Sequence, residues 1–303
     1  MLAAEDGGTV QIGCGALDDA EEVWVHGMWL PREWRACWRA LRLGKRLVRM
    51  THGSLSPVYL RYHGWKKWLV GSIERYFLRR ADRIVATCAA EKGWIEAYLG
   101  KWCPPIEVTD IKQFFDFSHK GHKERKGDGR LHLLYLGRRH PLKGLEYLEE
   151  AVKSLEFRVG SLELGEVKDD RVERVEGRVE LRVVSNAFGE EKEKVWDWCD
   201  VLVLPTLSEN FGLVVAEALE RGKRVITTDG APAWGEEAKG KVEGEGGSRV
   251  ERVEGEGSLE FGGEIWSGYG GRLLYLVGYR DGTDERRVEL LKSAIETMAQ
   301  MVD

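Results

Sequence analysis

The sequence predicts two α/β domains, each built around a parallel, doubly wound β-sheet. In both halves, short apolar segments of strand length alternate with segments whose apolar residues recur at helical spacing. A charged stretch that contains glycine, residues 120–130, interrupts this alternation and predicts an exposed loop between the halves. The chain has 303 residues, of which 43% are hydrophobic, which is enough for two cores. No apolar run approaches the roughly 18 residues that a membrane span needs.

The alternation defines elements in each half and places the domain boundaries. In the first half we predict strands at residues 22–29, 46–51 and 83–87, and helices at 32–43, 65–81 and 89–98. In the second half we predict strands at 131–136, 179–184, 201–205 and 224–228, and helices at 144–153, 192–198, 211–220 and 284–301. We expect a mobile excursion at 239–257, and surface hairpins where VERVEG begins at Val172 and nearly recurs at Val250. The predicted domains are residues 1–115 and 116–285, with a closing helix at 286–303.

Composition excludes several classes of function. The five cysteines are scattered without a CxxC pair, which argues against a zinc site or a disulfide framework and favours a reducing, cytoplasmic setting. Residues 1–9 are acidic and rich in glycine, so they do not read as a signal peptide. The net charge is −5, and no nucleic-acid-binding motif is present, so we expect no nucleic-acid partner.

The charge is unevenly distributed along the chain. Residues 31–83 contain fourteen Lys or Arg and three Asp or Glu, and tryptophans and tyrosines interleave with them. Aromatic residues beside basic residues are typical of a peripheral contact with an anionic membrane. A solvated basic helix face with its aromatics in the core is the alternative, and the sequence leaves both open.

The strongest chemical signal lies at residues 204–219, LPTLSENFGLVVAEAL. A buried strand stops at a proline, a short loop carries Glu209, and a helix that begins near Phe211 carries Glu217. In an open α/β sheet, ligands bind at the carboxyl ends of the strands, and the free N–H groups of a helix start bind anions. Two helical turns separate the glutamates, so both can face one cleft, where one accepts hydrogen bonds from a sugar and the other from a ribose. The alternative is a loop acid and a solvent-exposed helix acid.

This segment resembles the E-x7-E motif of the retaining glycosyltransferases of family 4. Their fold, called GT-B, consists of two facing Rossmann-like domains, and the resemblance assigns the second domain to the nucleotide-sugar and the first to the acceptor. By this resemblance Glu209 orients the sugar and Glu217 holds the ribose. The donor-binding set would further include four consecutive residues: Asn210, Phe211, Gly212 and Leu213.

A second matching piece is YLGRRHPLKG at residues 135–144, similar to the strand–Gly-Arg–loop–Lys-Gly element of the same family. Arg138 and Lys143 place two positive charges at the end of a strand. There they can stabilise the negative charge that develops on a diphosphate leaving group.

The first half resembles the version of this family that is commonest in capsule, exopolysaccharide and lipopolysaccharide assembly. Residues 25–29 (VHGMW) resemble its HxHG-x-W loop, residues 51–57 (THGSLSP) its PHGML-P loop, and residues 80–91 its RADxIHATSxxE segment. The resemblance places His26 near the reacting centre, and His52 and Ser54 on the acceptor side. For both histidines the alternative is a loop residue satisfied by backbone groups.

The resemblance implies a retaining transfer from a nucleotide-diphospho-sugar to a glycan or lipid-linked acceptor in cell-surface polysaccharide synthesis. We expect a cytoplasmic location, which would be at the inner face of the membrane if the basic first half binds lipid. No Asp-x-Asp stands at a strand end, so we expect neither an obligatory metal nor another cofactor. Fewer strands precede His26 than family members usually carry, so we expect a shortened first domain. The alternative function is a GT-B-like partner subunit that binds sugar nucleotides without transferring them.

Overall fold

The computed structural model describes residues 20–109, 111–115, 130–156, 172–174, 179–234, 250–252, 263–267, 272–276, 279–280 and 282–300. The chain divides into two compact units, Met1–Thr109 and Asp110–Asp303. Each unit contains a β-sheet with parallel strands, so the predicted α/β class is confirmed for both.

The first unit is built on a four-stranded parallel sheet. Its described elements are β1 (Glu22–His26), α1 (Pro31–Arg42), β2 (Arg46–Met50), α2 (Pro57–Arg61), α3 (Gly64–Leu78), β3 (Arg83–Ala86), α4 (Ala89–Leu99) and β4 (Ile106–Val108). The strand order is β1-β2-β3-β4, which is also the order along the chain.

Three helices of the first unit pack on one face of its sheet. They share one buried apolar cluster with the strands, whose members include Val25, Leu47, Ile84, Cys37, Leu78 and Ile95. Right-handed crossovers between strands that follow chain order place every helix on the same face. In the described residues this sheet is therefore wound in one direction, whereas the sequence predicted two-directional winding for both sheets.

The second unit is built on an eight-stranded mixed sheet. Its described elements are β5 (Leu131–Leu136), α5 (Leu145–Glu156), β6 (Val172–Arg174), β7 (Val179–Val184), α6 (Glu190–Trp198), β8 (Val201–Leu204), α7 (Leu213–Glu220), β9 (Arg224–Thr228), β10 (Val250–Arg252), β11 (Gly263–Ser267), β12 (Arg272–Leu276) and α8 (Asp284–Gln300). The strand order is β10-β11-β12-β9-β8-β5-β7-β6.

Both edges of this sheet are antiparallel, which the sequence did not predict. The strands β12, β9, β8, β5 and β7 run parallel to one another, while β6 pairs antiparallel with β7, and β11 antiparallel with β10 and β12. The two VER segments form the outermost strands β6 and β10. Of the predicted excursion at 239–257, only residues 250–252 lie among the described residues.

The second sheet winds in both directions from β5. The chain passes from β5 to β7 on one side and then crosses to β8 and β9 on the other. Such a reversal is a topological switch point, and it leaves the loops after β5 and β8 side by side at the carboxyl edge. The side chains of β5 and β8 are buried throughout, and α5 and α8 pack in the same apolar cluster as β5.

No helix within the described ranges is long and apolar enough to cross a membrane.

A buried ion pair joins the elements of the first unit. Arg49 of β2 and Glu74 of α3 are fully buried, with Nη2 and Oε2 3.3 Å apart. Glu74 also accepts hydrogen bonds from the Trp29 backbone N–H and, at 2.8 Å, from the Trp34 indole. Arg49 donates to the Gly27 carbonyl oxygen at 3.0 Å. The pair therefore fixes the loop after β1 against α1 and α3.

Glu74→Ala should strongly destabilise the first unit. Removing one partner of a buried ion pair leaves the other charge uncompensated, which costs about 3–5 kcal/mol. Urea unfolding of the full chain, followed by circular dichroism, should show an earlier transition for this variant. The matched control is Glu96→Ala, because Glu96 is 54% exposed and lies 4.0 Å from Lys92. Identical unfolding of Glu74→Ala and the control would contradict the prediction.

Candidate functional site

The loop after β5 is folded tightly against its own strand. The Gly137 N–H continues the sheet by donating to the Val184 carbonyl oxygen at 2.9 Å, and the Tyr135 hydroxyl donates to the Arg138 carbonyl oxygen at 3.0 Å. A single helical turn, Pro141–Lys143, follows, and the His140 side chain caps it. The loop thus presents Arg138 and Lys143 at the carboxyl edge of the sheet.

The loop after β8 is joined to this loop by hydrogen bonds. The Leu142 carbonyl oxygen accepts from the Leu207 N–H at 2.9 Å and from the Thr206 hydroxyl at 3.0 Å. Gly144 has a φ of +64°, and a Cβ at this position would overlap the Pro205 carbonyl oxygen. The close approach of the two loops therefore requires glycine here.

Lys143 and Glu209 form an ion pair between the two loops. Their side chains are 18% and 22% exposed, so the pair is accessible from solvent. The Glu209 N–H donates to the Gly230 carbonyl oxygen at 2.8 Å, which ties the loop to the segment after β9. Both residues were predicted as site residues, from two separate motifs. They are 66 positions apart in the chain, and the structure brings them into contact.

Arg138 differs from its neighbour Arg139 in its surroundings. Arg139 pairs with Glu149 at 3.2 Å, while the exposed side chain of Arg138 has no ion pair with any described residue. The loop that carries Lys143 therefore also carries a cation without an ion pair to any described residue.

The start of α7 is shaped by Gly212. Gly212 caps the helix in the left-handed conformation, with a φ of 72°, and the first helical residue is Leu213. The prediction that the helix begins near Phe211 was therefore wrong by two residues. The Phe211 side chain is buried, and its ring lies 5.2 Å from that of Trp234. Asn210 Oδ1 is buried and has no hydrogen-bond partner among the described residues.

Glu217 lies in the second turn of α7 and pairs with Lys192 of α6. Lys192 Nζ and Glu217 Oε2 are 2.6 Å apart, and the Glu217 side chain is 25% exposed. The sequence predicted Glu217 but not Lys192. Lys192 occurs in the charged run EEKEK and belongs to no motif, so only the packing of α6 beside α7 identifies it.

In the first unit, the structure brings His26 and His52 into contact. His26 ends β1 and His52 follows β2, and these neighbouring strands are parallel. His26 Nδ1 and His52 Nε2 are 3.0 Å apart, and the ring centroids are 5.2 Å apart. His52 adopts a left-handed backbone with a φ of 49°. The two histidines therefore hydrogen-bond to each other. The sequence analysis considered a functional residue or a loop residue satisfied by backbone groups, and it did not predict this pair.

Partial burial lowers the pKa of both imidazoles. The charge of His52 lowers the pKa of His26 further, whereas the Glu91 carboxylate partly offsets the decrease in the pKa of His52. Two neutral imidazoles can share one hydrogen bond, with one as donor and the other as acceptor. Both rings are exposed on one side, so they are accessible to a ligand.

Glu91 fixes the backbone of the His52 loop. Its carboxylate is fully buried and accepts hydrogen bonds from the Thr51 hydroxyl and the Gly53 N–H, each at 2.6 Å. It also accepts from the N–H and the hydroxyl of Thr87, at 2.8 and 2.9 Å. The same loop carries Ser54, whose N–H donates to the Thr51 carbonyl oxygen at 3.1 Å.

The histidine pair should make stability depend on pH. Because the folded-state pKa of each imidazole is below its unfolded value near 6.5, the folded chain binds fewer protons. The pair's contribution is present above that value and is lost as the pH falls through the folded pKa. The melting temperature of His26→Gln should therefore decrease less than that of the wild type when the pH is lowered from about 7.5 to about 5.5. His63→Asn, outside the pair, is the control, and an unchanged pH dependence in His26→Gln would contradict the assignment.

Two family profiles match the chain in sequence. Residues 16–109 match the family described as "Glycosyl transferase 4-like domain", and residues 130–247 match the one described as "Glycosyl transferases group 1". The two matches occur in the order of the two units and together account for more than half of the chain.

Curated relatives match part of the chain. One, an uncharacterized 41.2 kDa protein in the cps region of Klebsiella pneumoniae, is 28% identical in a 175-residue alignment that covers 54% of this chain and 48% of that protein. Another, D-inositol 3-phosphate glycosyltransferase of Pseudarthrobacter chlorophenolicus, is 28% identical in a 166-residue alignment that covers 49% of this chain and 40% of that protein. The aligned segments thus span about half the length of these relatives or less.

Among solved structures, the sucrose-phosphate synthase of Thermosynechococcus elongatus aligns with a TM-score of 0.47 and 18% identity, covering 69% of this chain and 56% of that one. The assignment rests on the two profile matches, by which the chain belongs to the group 1, family 4-like glycosyltransferases.

Proposed function

We propose that this glycosyltransferase moves a sugar, with retention at the anomeric carbon, from a nucleotide-diphospho-sugar to a glycan or lipid-linked acceptor in cell-surface polysaccharide synthesis. The observation that carries the proposal is the arrangement at the switch point of the second sheet. There the Lys143–Glu209 pair stands beside Arg138, whose cation has no ion pair among the described residues. Ligands of open α/β sheets bind at such an edge.

The two cations at this edge suit a diphosphate leaving group. Breaking the bond between the sugar and the diphosphate leaves negative charge on the phosphate oxygens. Arg138 and Lys143 come from one hydrogen-bonded loop, so they can stabilise this charge where it develops. The free N–H groups at the start of α7 provide a further site for an anion.

The two glutamates suit the neutral parts of the donor. Glu217 is a partly exposed acceptor on α7, held by Lys192, and we assign it to the ribose hydroxyls. Glu209 lies in the loop between β8 and α7, and we assign it to the sugar hydroxyls. When a donor binds, Lys143 can exchange part of its contact with Glu209 for the diphosphate, which leaves Glu209 free to accept from the sugar. The buried Asn210 oxygen offers one more acceptor.

The histidine pair suits an acceptor hydroxyl. A neutral imidazole can accept a hydrogen bond from a hydroxyl, and the lowered pKa favours the neutral form. We therefore assign His26 to the reacting hydroxyl. We assign His52 and Ser54 to the remainder of the acceptor. Glu91 acts as a positioning residue through the backbone of their loop.

The motifs of the first unit support a role in the synthesis of surface polysaccharide, because they resemble those of enzymes of capsule, exopolysaccharide and lipopolysaccharide assembly. The Klebsiella pneumoniae relative is described as a protein in the cps region, which agrees with this role. We propose that the reaction proceeds without an obligatory metal or another cofactor, because Arg138 and Lys143 supply two cations at the edge to which we assign the leaving group.

Replacing both cations should abolish transfer while leaving the fold intact. The reaction mixture contains UDP-, GDP-, ADP- and dTDP-linked labelled sugars and lipid-linked oligosaccharides extracted from a capsule-forming bacterium. Loss of preorganised charge stabilisation lowers turnover roughly 100-fold or more. The turnover of Arg138→Ala/Lys143→Ala should therefore be lower than that of the wild type by at least this factor. The measurements are label transferred to the lipid phase and, by NMR, the anomeric configuration of the product.

The matched control is Arg139→Ala/Lys153→Ala, which removes two exposed cations from the same unit. Its turnover should stay within about twofold of the wild type, because exposed charges contribute little. Equal turnover by the Arg138/Lys143 variant and the wild type would contradict the diphosphate assignment. Inversion of the anomeric centre, or loss of activity with a chelator, would contradict retention or metal independence respectively. Donor binding without any transfer would favour the partner-subunit alternative.

A further inference from the structure

The helix α3 exposes a continuous stripe of large apolar side chains. Trp65 is 65% exposed, Trp68 80% and Leu69 60%, followed by Ile73 at 41% and Tyr76 at 50%. Spacings of three, four, eight and eleven residues from Trp65 place these side chains on one face of a helix. The stripe runs along most of the helix length.

The opposite face of α3 is the one that packs in the core. Its buried residues are Gly71, Glu74, Phe77 and Leu78. The carboxylate on this helix is therefore directed inward, where Arg49 binds it, while the aromatic residues are directed outward. An exposed apolar face of this size marks an interaction surface.

The exposed charges on α3 and on the residues that flank it are all positive. Glu74 is the only Asp or Glu between residues 61 and 80, and it is buried. The exposed basic side chains along this segment are Arg61, Lys66, Arg75, Arg79 and Arg80. Lys66 lies 5.5 Å from the centre of the Trp65 ring, and Arg80 lies 4.3 Å from that of Tyr76. Cations thus stand directly beside the exposed aromatic rings.

The neighbouring helix α1 extends this surface. Trp34 of α1 and Phe77 of α3 belong to the same apolar cluster. Trp38 of α1 is 51% exposed, and the guanidinium of Arg42 lies 5.0 Å from the centre of its ring. We call the outward faces of α3 and α1 the aromatic-basic surface.

We infer that the aromatic-basic surface docks on an anionic phospholipid bilayer. Tryptophan and tyrosine favour the headgroup region of a bilayer, because their rings are apolar at one end and polar at the other. Each Lys or Arg near an anionic surface adds to the attraction. The stripe and its flanking cations therefore act together on one lipid surface.

The charge of the aromatic-basic surface favours an anionic bilayer over a second copy of the chain as its occupant. Two such surfaces placed face to face would oppose positive charge with positive charge, which is unfavourable. An anionic bilayer supplies the complementary sign over the whole stripe, including both helices.

The consequence of docking rests on the proposed function. The helix α3 follows β2, so it starts on the sheet edge that carries His26 and His52, because a crossover helix begins on the side where its strand ends. A bilayer under α3 would lie near this edge, where a lipid-linked acceptor could reach the histidine pair without leaving the membrane.

Docking can be measured by cosedimentation of the full chain with vesicles. One set contains phosphatidylcholine and phosphatidylglycerol at about 3:1, the other phosphatidylcholine alone, and both are run at low and high salt. The chain should sediment with the anionic vesicles at low salt and be released at high salt. Trp65→Ser/Trp68→Ser and Lys66→Gln/Arg80→Gln should each weaken partitioning by about tenfold or more, because they remove interfacial anchors or two lipid-facing cations.

Phe188→Ser is the matched control, since Phe188 is 79% exposed but lies in the second unit, outside the aromatic-basic surface. It should partition like the wild type, and unchanged melting temperatures should show that all variants fold. No sedimentation with anionic vesicles at low salt would overturn the inference. Undiminished binding by both double variants would also overturn it, as would equal binding to the two vesicle types. Vesicle binding by a chain that transfers no sugar would overturn the proposed function and leave docking intact.

Discussion

The hydrogen bonds of the Leu142 carbonyl oxygen to Thr206 and Leu207 are the contact on which the candidate donor site depends. They join the loops after β5 and β8 at the reversal of the second sheet, where the backbone must pass so close that position 144 is restricted to glycine. Through this contact Lys143 meets Glu209, although neither belongs to the other's motif. The cationic loop and the start of α7 are therefore presented together at this edge of the sheet.

The first unit achieves the same result with buried carboxylates. Glu74 binds the loop after β1 through Trp29, and Glu91 binds the loop after β2 through Thr51 and Gly53. Each carboxylate has several donors, which compensates the cost of burying it. Glu74 has a second consequence, because the helix that directs it inward directs its tryptophans outward. The position of the loop after β1 and the aromatic-basic surface thus both depend on the packing of α3.

Much of the fold was predictable from the sequence, because apolar runs bounded by polar residues define strands whatever their neighbours. Residues 131–136, 179–184 and 224–228 form strands with the predicted ends. The antiparallel edge strands were not predicted as part of the sheet, since VER is short and charged and contains no apolar run. The start of α7 was misplaced because Gly212 takes a left-handed cap that the loop contacts determine. The site residues were selected from motifs, but their partners, such as Lys192 for Glu217, depend on tertiary packing that one sequence does not encode locally. The catalytic roles stay predictions.

The most direct test of the donor site is thermal stabilisation by UDP-, GDP-, ADP- and dTDP-linked sugars, measured for the wild type, Glu217→Ala and the control Glu220→Ala on the same helix. A ligand that binds only the folded state at about 100 times its Kd adds about 2.7 kcal/mol of stability. The donor site described above predicts that one nucleotide class raises the melting temperature of the wild type and of Glu220→Ala, and that Glu217→Ala loses this increase. No increase with any donor, or an equal increase in Glu217→Ala, would contradict a donor site at the β5–β8 edge.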